Sequence, residues 1–223
     1  MTPVLLLDAV ETMFSLTPVE EALVREGQPT GTLPLFFTRL LRDAFALSLT
    51  DAFHPFSEVG DGALRVVCPE LDDDARGRVL AAFTRLPAHP DVAPAIALAR
   101  RAGWSVAVLS NGRLPTTRTL VERNGLADAV DEVLTVEDAH AYKPSGATYA
   151  TALRHLGRSA GDAAMVAAHA WDCHGAKRAG LRAGWVSRLE GVYAPVYDRP
   201  DVTGDTLDEV VRGLVDLEGQ LSP

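Results

Sequence analysis

Residues 3–14 read PVLLLDAVETMF, and the run Val4 to Leu7 is apolar without alternation. A strand with apolar side chains on both faces is one buried on both faces, as in a parallel sheet covered by helices. The run ends on a carboxylate, Asp8, with Thr12 four residues further on. In open α/β sheets, ligands bind beyond the carboxyl ends of the strands, at a topological switch point. Asp8 is therefore either a reactive group at that edge or a cap for the turn that follows.

Beyond Asp8 the pattern turns helical. Pro18, with Glu20 and Glu21 behind it, marks a helix start for residues 18–26. Leu33, Phe36, Phe37, Leu40, Leu41, Ala44 and Phe45 then recur at helical spacing, and two further helical patterns lie around 60–67 and 73–85. Residues 15–90 are expected to be almost wholly helical. From Asp91 the chain alternates: helix 91–103, strand 104–110, helix 114–126, strand 131–136, helix 145–157, strand 163–168, helix 171–180, strand 184–187 and helix 206–217. Strands separated by helices of this length imply right-handed βαβ units. The expected fold is α/β, with a doubly wound parallel sheet built from residues 1–14 and 91–223 and an inserted helical cap over 15–90.

Composition narrows the partners. The chain has 223 residues, 47% of them apolar, and a net charge of -9. That length can bury a sizeable core, and the charge leaves no basic stripe for nucleic acid. Cys68 and Cys173 are too few and too far apart for a disulfide framework or a metal pair. No apolar run reaches the 18 residues of a membrane span, and no leader pattern opens the chain. A soluble, reduced, cytoplasmic protein acting on a small molecule, without nucleic acid or membrane partners, is expected.

Each later strand also ends on polar residues: Ser110 and Asn111, then Lys143, then His169 and Asp172. Parallel strands place these ends on one edge of the sheet, near Asp8. Bland readings stand beside the functional ones. Lys143 with Asp8 could be a structural ion pair, Ser110, Asn111 and Asp172 could be caps, Tyr149 could be core, His169 a satisfied buried ring, and Arg39 a solvated charge.

The order of these motifs resembles the haloacid dehalogenase superfamily, and within it the type II L-2-haloacid dehalogenases, over essentially the whole chain. The resemblance rests on LSNG (109–112), YKP (142–144) followed by Tyr149, and AWD-x-x-GA-K (170–177). It implies Asp8 as nucleophile, Ser110 and Asn111 as second motif, Lys143 as third and Asp172 as fourth. Thr12 and Tyr149 fall on further site positions, the cap arginine falls near Arg39, and dimerisation through the cap is implied.

The chemistry accounts for the set. Asp8 would displace a halide from carbon and form an ester that water then cleaves. Lys143 would keep Asp8 anionic, and Arg39 would bind the substrate carboxylate or the departing halide. Ser110 and Asn111 would supply positioned donors worth roughly 3–4 kcal/mol each. Asp172 would orient Lys143 or the hydrolytic water. The second Asp of related phosphatases is replaced by Val10, and their acidic magnesium ligand by Ala168, so no metal or other cofactor is expected. Val10, Glu11, Ala167 and His169 depart from the dehalogenase pattern of Tyr, Gly, Ser and Asn. Ester hydrolysis rests on what replaces those residues, and His169, counted with Arg39 and Tyr149 among the substrate-side positions, either substitutes for the water-positioning Asn or only fills space. The alternatives are a magnesium-dependent phosphatase of the same superfamily and a non-catalytic binding or regulatory protein.

Overall fold

The computed structural model describes residues 2–221. In chain order the elements are β1 (Val4–Leu7), α1 (Thr17–Arg25), α2 (Thr32–Leu49), α3 (Phe56–Val67), α4 (Asp73–Ala81), α5 (Val92–Arg101) and β2 (Ser105–Ser110). There follow α6 (Leu114–Arg123), β3 (Glu132–Thr135), α7 (Gly146–Leu156), β4 (Ala163–Ala167), α8 (Ala170–Arg178), β5 (Arg182–Val186), β6 (Val202–Gly204) and α9 (Leu207–Leu221).

The sheet is parallel, in the order β3-β2-β1-β4-β5-β6. β1 sits at its centre, and Leu7 is flanked by Val108 of β2 and Val166 of β4. The unbroken apolar run is explained by this position. Leu5 and Leu7 pack with α5 and α9, Val4 and Leu6 with α7 and α8, and none of the four is more than 1% exposed. The direction of winding reverses between β1 and β4, so the crevice at the switch point opens beside Asp8. β6 escaped the sequence reading: three half-exposed residues at a sheet edge carry no periodicity.

Between β1 and α5 the chain is helical, without a strand of the sheet. Asp72 starts α4, its side chain accepting from the Ala75 amide at 2.7 Å. Phe36, Leu40, Leu64, Val79 and Phe83 are buried in the apolar cluster of this insertion. The two connections to the sheet run side by side. Ser15 N–H donates to Pro87 C=O and His89 N–H to Met13 C=O, each at 2.9 Å. Among the described residues no helix is long and apolar enough to cross a membrane.

Candidate active site

The turn after β1, the loops after β2 and β3, and the first turn of α8 converge on Asp8. Lys143 Nζ donates to Asp8 Oδ1 at 2.8 Å and to Asp172 Oδ2 at 2.6 Å, and its side chain is 0% exposed. Thr12 Oγ1 donates to Asp8 Oδ2 at 2.6 Å and accepts the Ala168 amide at 2.8 Å, which fixes its rotamer across the β1–β4 crevice. Asp172 is held from behind by the Tyr149 hydroxyl at 2.6 Å. Burial opposes the charge on Lys143, but the attraction of Asp172 and Asp8 outweighs it, and the ammonium is raised above its usual pKa. Burial, with Asp8 nearby, pushes Asp172 upward against the pull of Lys143. Burial beside Asp172 also raises the Tyr149 hydroxyl well above its ordinary value, so it stays a donor.

This tight packing accounts for a glycine. A Cβ on Gly175 would lie 2.5 Å from Pro144 Cβ and 2.6 Å from the Tyr149 hydroxyl, so only glycine lets α8 approach the Lys143 loop.

Not every expected residue takes the expected place. Asn111 lines the Asp8 chamber; its Oδ1 accepts the Lys143 amide at 2.9 Å, and its Nδ2 has no partner among the described residues. Ser110 Oγ accepts the Gly112 amide and lines a separate small cavity on the far side of Val10. Tyr149 is fully buried behind Asp172 and lines neither cavity beside Asp8. Arg39 is a correction. It pairs with Asp43 at 2.7 Å on a different face of α2, and the residues that α2 turns toward Asp8 are Phe37 and Leu41.

His169 is brought in, with partners the sequence did not reveal. Its Nε2 lies 3.0 Å from Glu11 and its Nδ1 3.8 Å from Glu190, in the loop after β5. Burial disfavours the imidazolium, but Glu11, Glu190 and Asp8 outweigh it and the pKa rises to about 10. Burial works against the charge on Glu190, but the bond and charge of His169 and the Ala170 amide together outweigh it, and its carboxyl falls below the usual range. Glu11 holds a positive φ of 68°, which costs a residue with a side chain of order 1–3 kcal/mol. His169 thus bridges the turn after β1 and the loop after β5 through Glu11 and Glu190.

Asp8 opens into a narrow chamber of about 20 Å³, lined by Val10, Phe37, Leu41, Phe56, Asn111, His169 and Trp171. The His169 and Trp171 rings stack at 5.1 Å. A magnesium ion does not fit this donor set. Asp8 and Asp172 are both bound to Lys143, Val10 and Ala168 carry no ligand oxygen in their side chains, and among the described residues no three His, Cys, Asp or Glu side chains cluster to hold a metal ion.

A parallel α/β sheet whose central strand ends on an aspartate bound to a buried lysine, with a helical insertion directly after it, places the chain in the class of α/β hydrolases. The chain belongs to the haloacid dehalogenase-like hydrolase family, whose model matches residues 20–180. It is 29% identical to the (S)-2-haloacid dehalogenase of Pseudomonas sp. (strain YL), over 92% of this chain and 91% of that one. It is 26% identical to haloacetate dehalogenase H-2 of Moraxella sp. (strain B), over 92% and 94%. The L-2-haloacid dehalogenase of Xanthobacter autotrophicus superposes with a TM-score of 0.86 at 25% identity, covering 96% of this chain and 98% of that one.

Proposed function

We propose that this hydrolase dehalogenates 2-halo-carboxylates through an ester on Asp8, with residues 15–90 acting as the cap that closes the chamber. The observation that carries the reading is the Lys143 ammonium seated between Asp8 and Asp172 at the floor of an apolar chamber. An Asp8 oxygen attacks the halogen-bearing carbon, the carbon–halogen bond breaks, and the halide leaves with the bonding pair. Lys143 offsets the nucleophile's charge, Asp172 and Tyr149 fix Lys143, and Thr12 orients the carboxylate. Asn111 Nδ2 offers a neutral donor to the departing halide or the substrate carboxylate. Water then adds to the ester carbonyl, restoring Asp8 and releasing the 2-hydroxy acid and a proton. The likeness to (S)-2-haloacid and haloacetate dehalogenases along almost the whole chain supports the substrate class.

Single-turnover mass spectrometry with (S)-2-chloropropionate, in metal-free buffer, tests this. The expected result is a transient mass gain on the peptide carrying Asp8, matched by released halide and absent in Asp8→Asn. An adduct that forms and persists would keep the displacement and reject hydrolysis. Failure to see either adduct or halide would reject dehalogenation.

A further inference from the structure

The Asp8 chamber is narrow, about 20 Å³, and it seats the reacting carbon with its halogen and the groups beside Asn111. A substituent of several carbons extends past Phe37, His169 and Trp171. Beyond them the structure has a second cavity, of about 500 Å³, which shares Phe37, Leu41, His169 and Trp171 with the chamber. Its other walls include Leu33, Pro34 and Phe45 of α2 and Leu189 of the loop after β5. Its charged groups are Glu11, Arg42 and Glu190. Glu11 and Glu190 face His169, and Arg42 pairs with Asp43. A cavity of this size with apolar walls is built for a ligand body, not for a carboxylate.

We infer that this vestibule is a binding site for the apolar tail of the substrate, so that the preferred substrates are 2-halo acids with an alkyl or aryl chain of several carbons. The inference rests on the dehalogenase reading of Asp8 and adds the substrate class within it. Backside attack aligns Asp8, the carbon and the halogen, and leaves three substituents around the carbon. Hydrogen and carboxylate stay near Asn111, and the tail passes the Phe37–Trp171 constriction into the vestibule. Its walls are aromatic and aliphatic, so each methylene that leaves water contributes up to roughly a fourfold gain in binding, the equivalent of about 0.8 kcal/mol.

The test is halide release from the unaltered protein with (S)-2-bromopropionate, 2-bromohexanoate and 2-bromooctanoate. The expected kcat/KM rises two- to fourfold per added methylene over the first several carbons. In Leu33→Trp, which fills the vestibule, the octanoate-to-propionate ratio should fall at least tenfold. A flat or falling series, with bromopropionate still turned over, overturns the tail site and leaves dehalogenation standing. Halide from no member of the series overturns both. A steep series with an unchanged ratio in a folded Leu33→Trp places the tail elsewhere and overturns the vestibule.

Discussion

At the residue scale, Glu11 and His169 are one feature and not two independent departures from the dehalogenase pattern. The turn after β1 gives residue 11 a backbone suited to glycine, and the chain places a glutamate there whose carboxylate meets His169 at 3.0 Å. The ion pair offsets the backbone strain that the side chain brings. Its sign with pH follows from the direction of the shift. An imidazole raised from 6.5 to about 10 stabilises the fold fully below about pH 6.5, and that contribution is lost as the pH climbs through 10. Glu11→Gln keeps the size and removes the charge, so the His169 titration should move down toward its ordinary value. The urea midpoint of the variant should then lie below that of the parent at pH 6 and approach it by pH 10. NMR titration of the His169 ring and denaturation at both pH values check this; a difference that stays constant across the range would show that the two residues are not linked through charge. Asp8, Glu190 and Trp171 surround the same ring, and Glu190 supplies a second partner that limits how far the pKa can fall.

At the scale of elements, α2 decides what the chamber feels like to a substrate. Positions 37, 41 and 45 lie one turn apart and line the cavities, whereas 39 is rotated about 200° from 37 at 3.6 residues per turn. Arg39→Ala should therefore leave kcat/KM for a 2-halo acid within about twofold, while Phe37→Ala, which removes the wall between chamber and vestibule, should lower it at least tenfold. Steady-state kinetics of the two variants decide the register; a large loss in Arg39→Ala would mean that the helix turns a different face to the substrate. The same helix shows where sequence stops being readable. Its apolar spacing was clear, but Phe36, Phe37, Leu40 and Leu41 all fit that spacing. Phe36 and Phe37 both pack on Phe83, and only the approach of Phe37 to His169 marks it as cavity wall. The β strands were easier. The Val4–Leu7 run admits one environment, and Lys143, His169 and Asp172 reach the edge beside Asp8 because parallel strands end there, while Ser110 faces a separate cavity. Glu190 had no such signal, since it lies in a loop without periodicity, and Trp171 was legible as part of the 170–177 motif but not as a cavity wall.

For the whole molecule, charge sets the rate of encounter with an anionic substrate. The protein carries a net charge of -9. At the site itself four carboxylates, those of Asp8, Glu11, Asp172 and Glu190, face only two cations, Lys143 and His169. On the proposed function, a 2-halo acid would approach against a repulsive field and be received by the neutral amide of Asn111. Such a field reaches about 30 Å at 0.01 M ionic strength and about 8 Å at 0.15 M, so salt should shorten the repulsion without touching the buried Lys143 pairs. The expected outcome is a kcat/KM for (S)-2-bromopropionate that rises roughly two- to threefold from 0.01 to 0.15 M ionic strength, with kcat unchanged. Sodium sulfate is the salt to use, because the reaction releases a halide and added chloride would compete where that halide leaves. The neutral 2-bromopropionamide is the control: its kcat/KM should stay flat over the same range and exceed that of the acid at low salt, where repulsion is strongest. If the acid instead loses rate with added salt, a cation is steering it. Arg42, at the mouth of the vestibule and bound to Asp43 at 2.8 Å, would then be the group to release from its partner. Asp43→Asn does that while leaving Asp8 and its partners in place, and it frees Arg39 as well; a further gain in the acid's kcat/KM at low salt that is lost again in Asp43→Asn/Arg42→Ala would identify Arg42 as the steering cation.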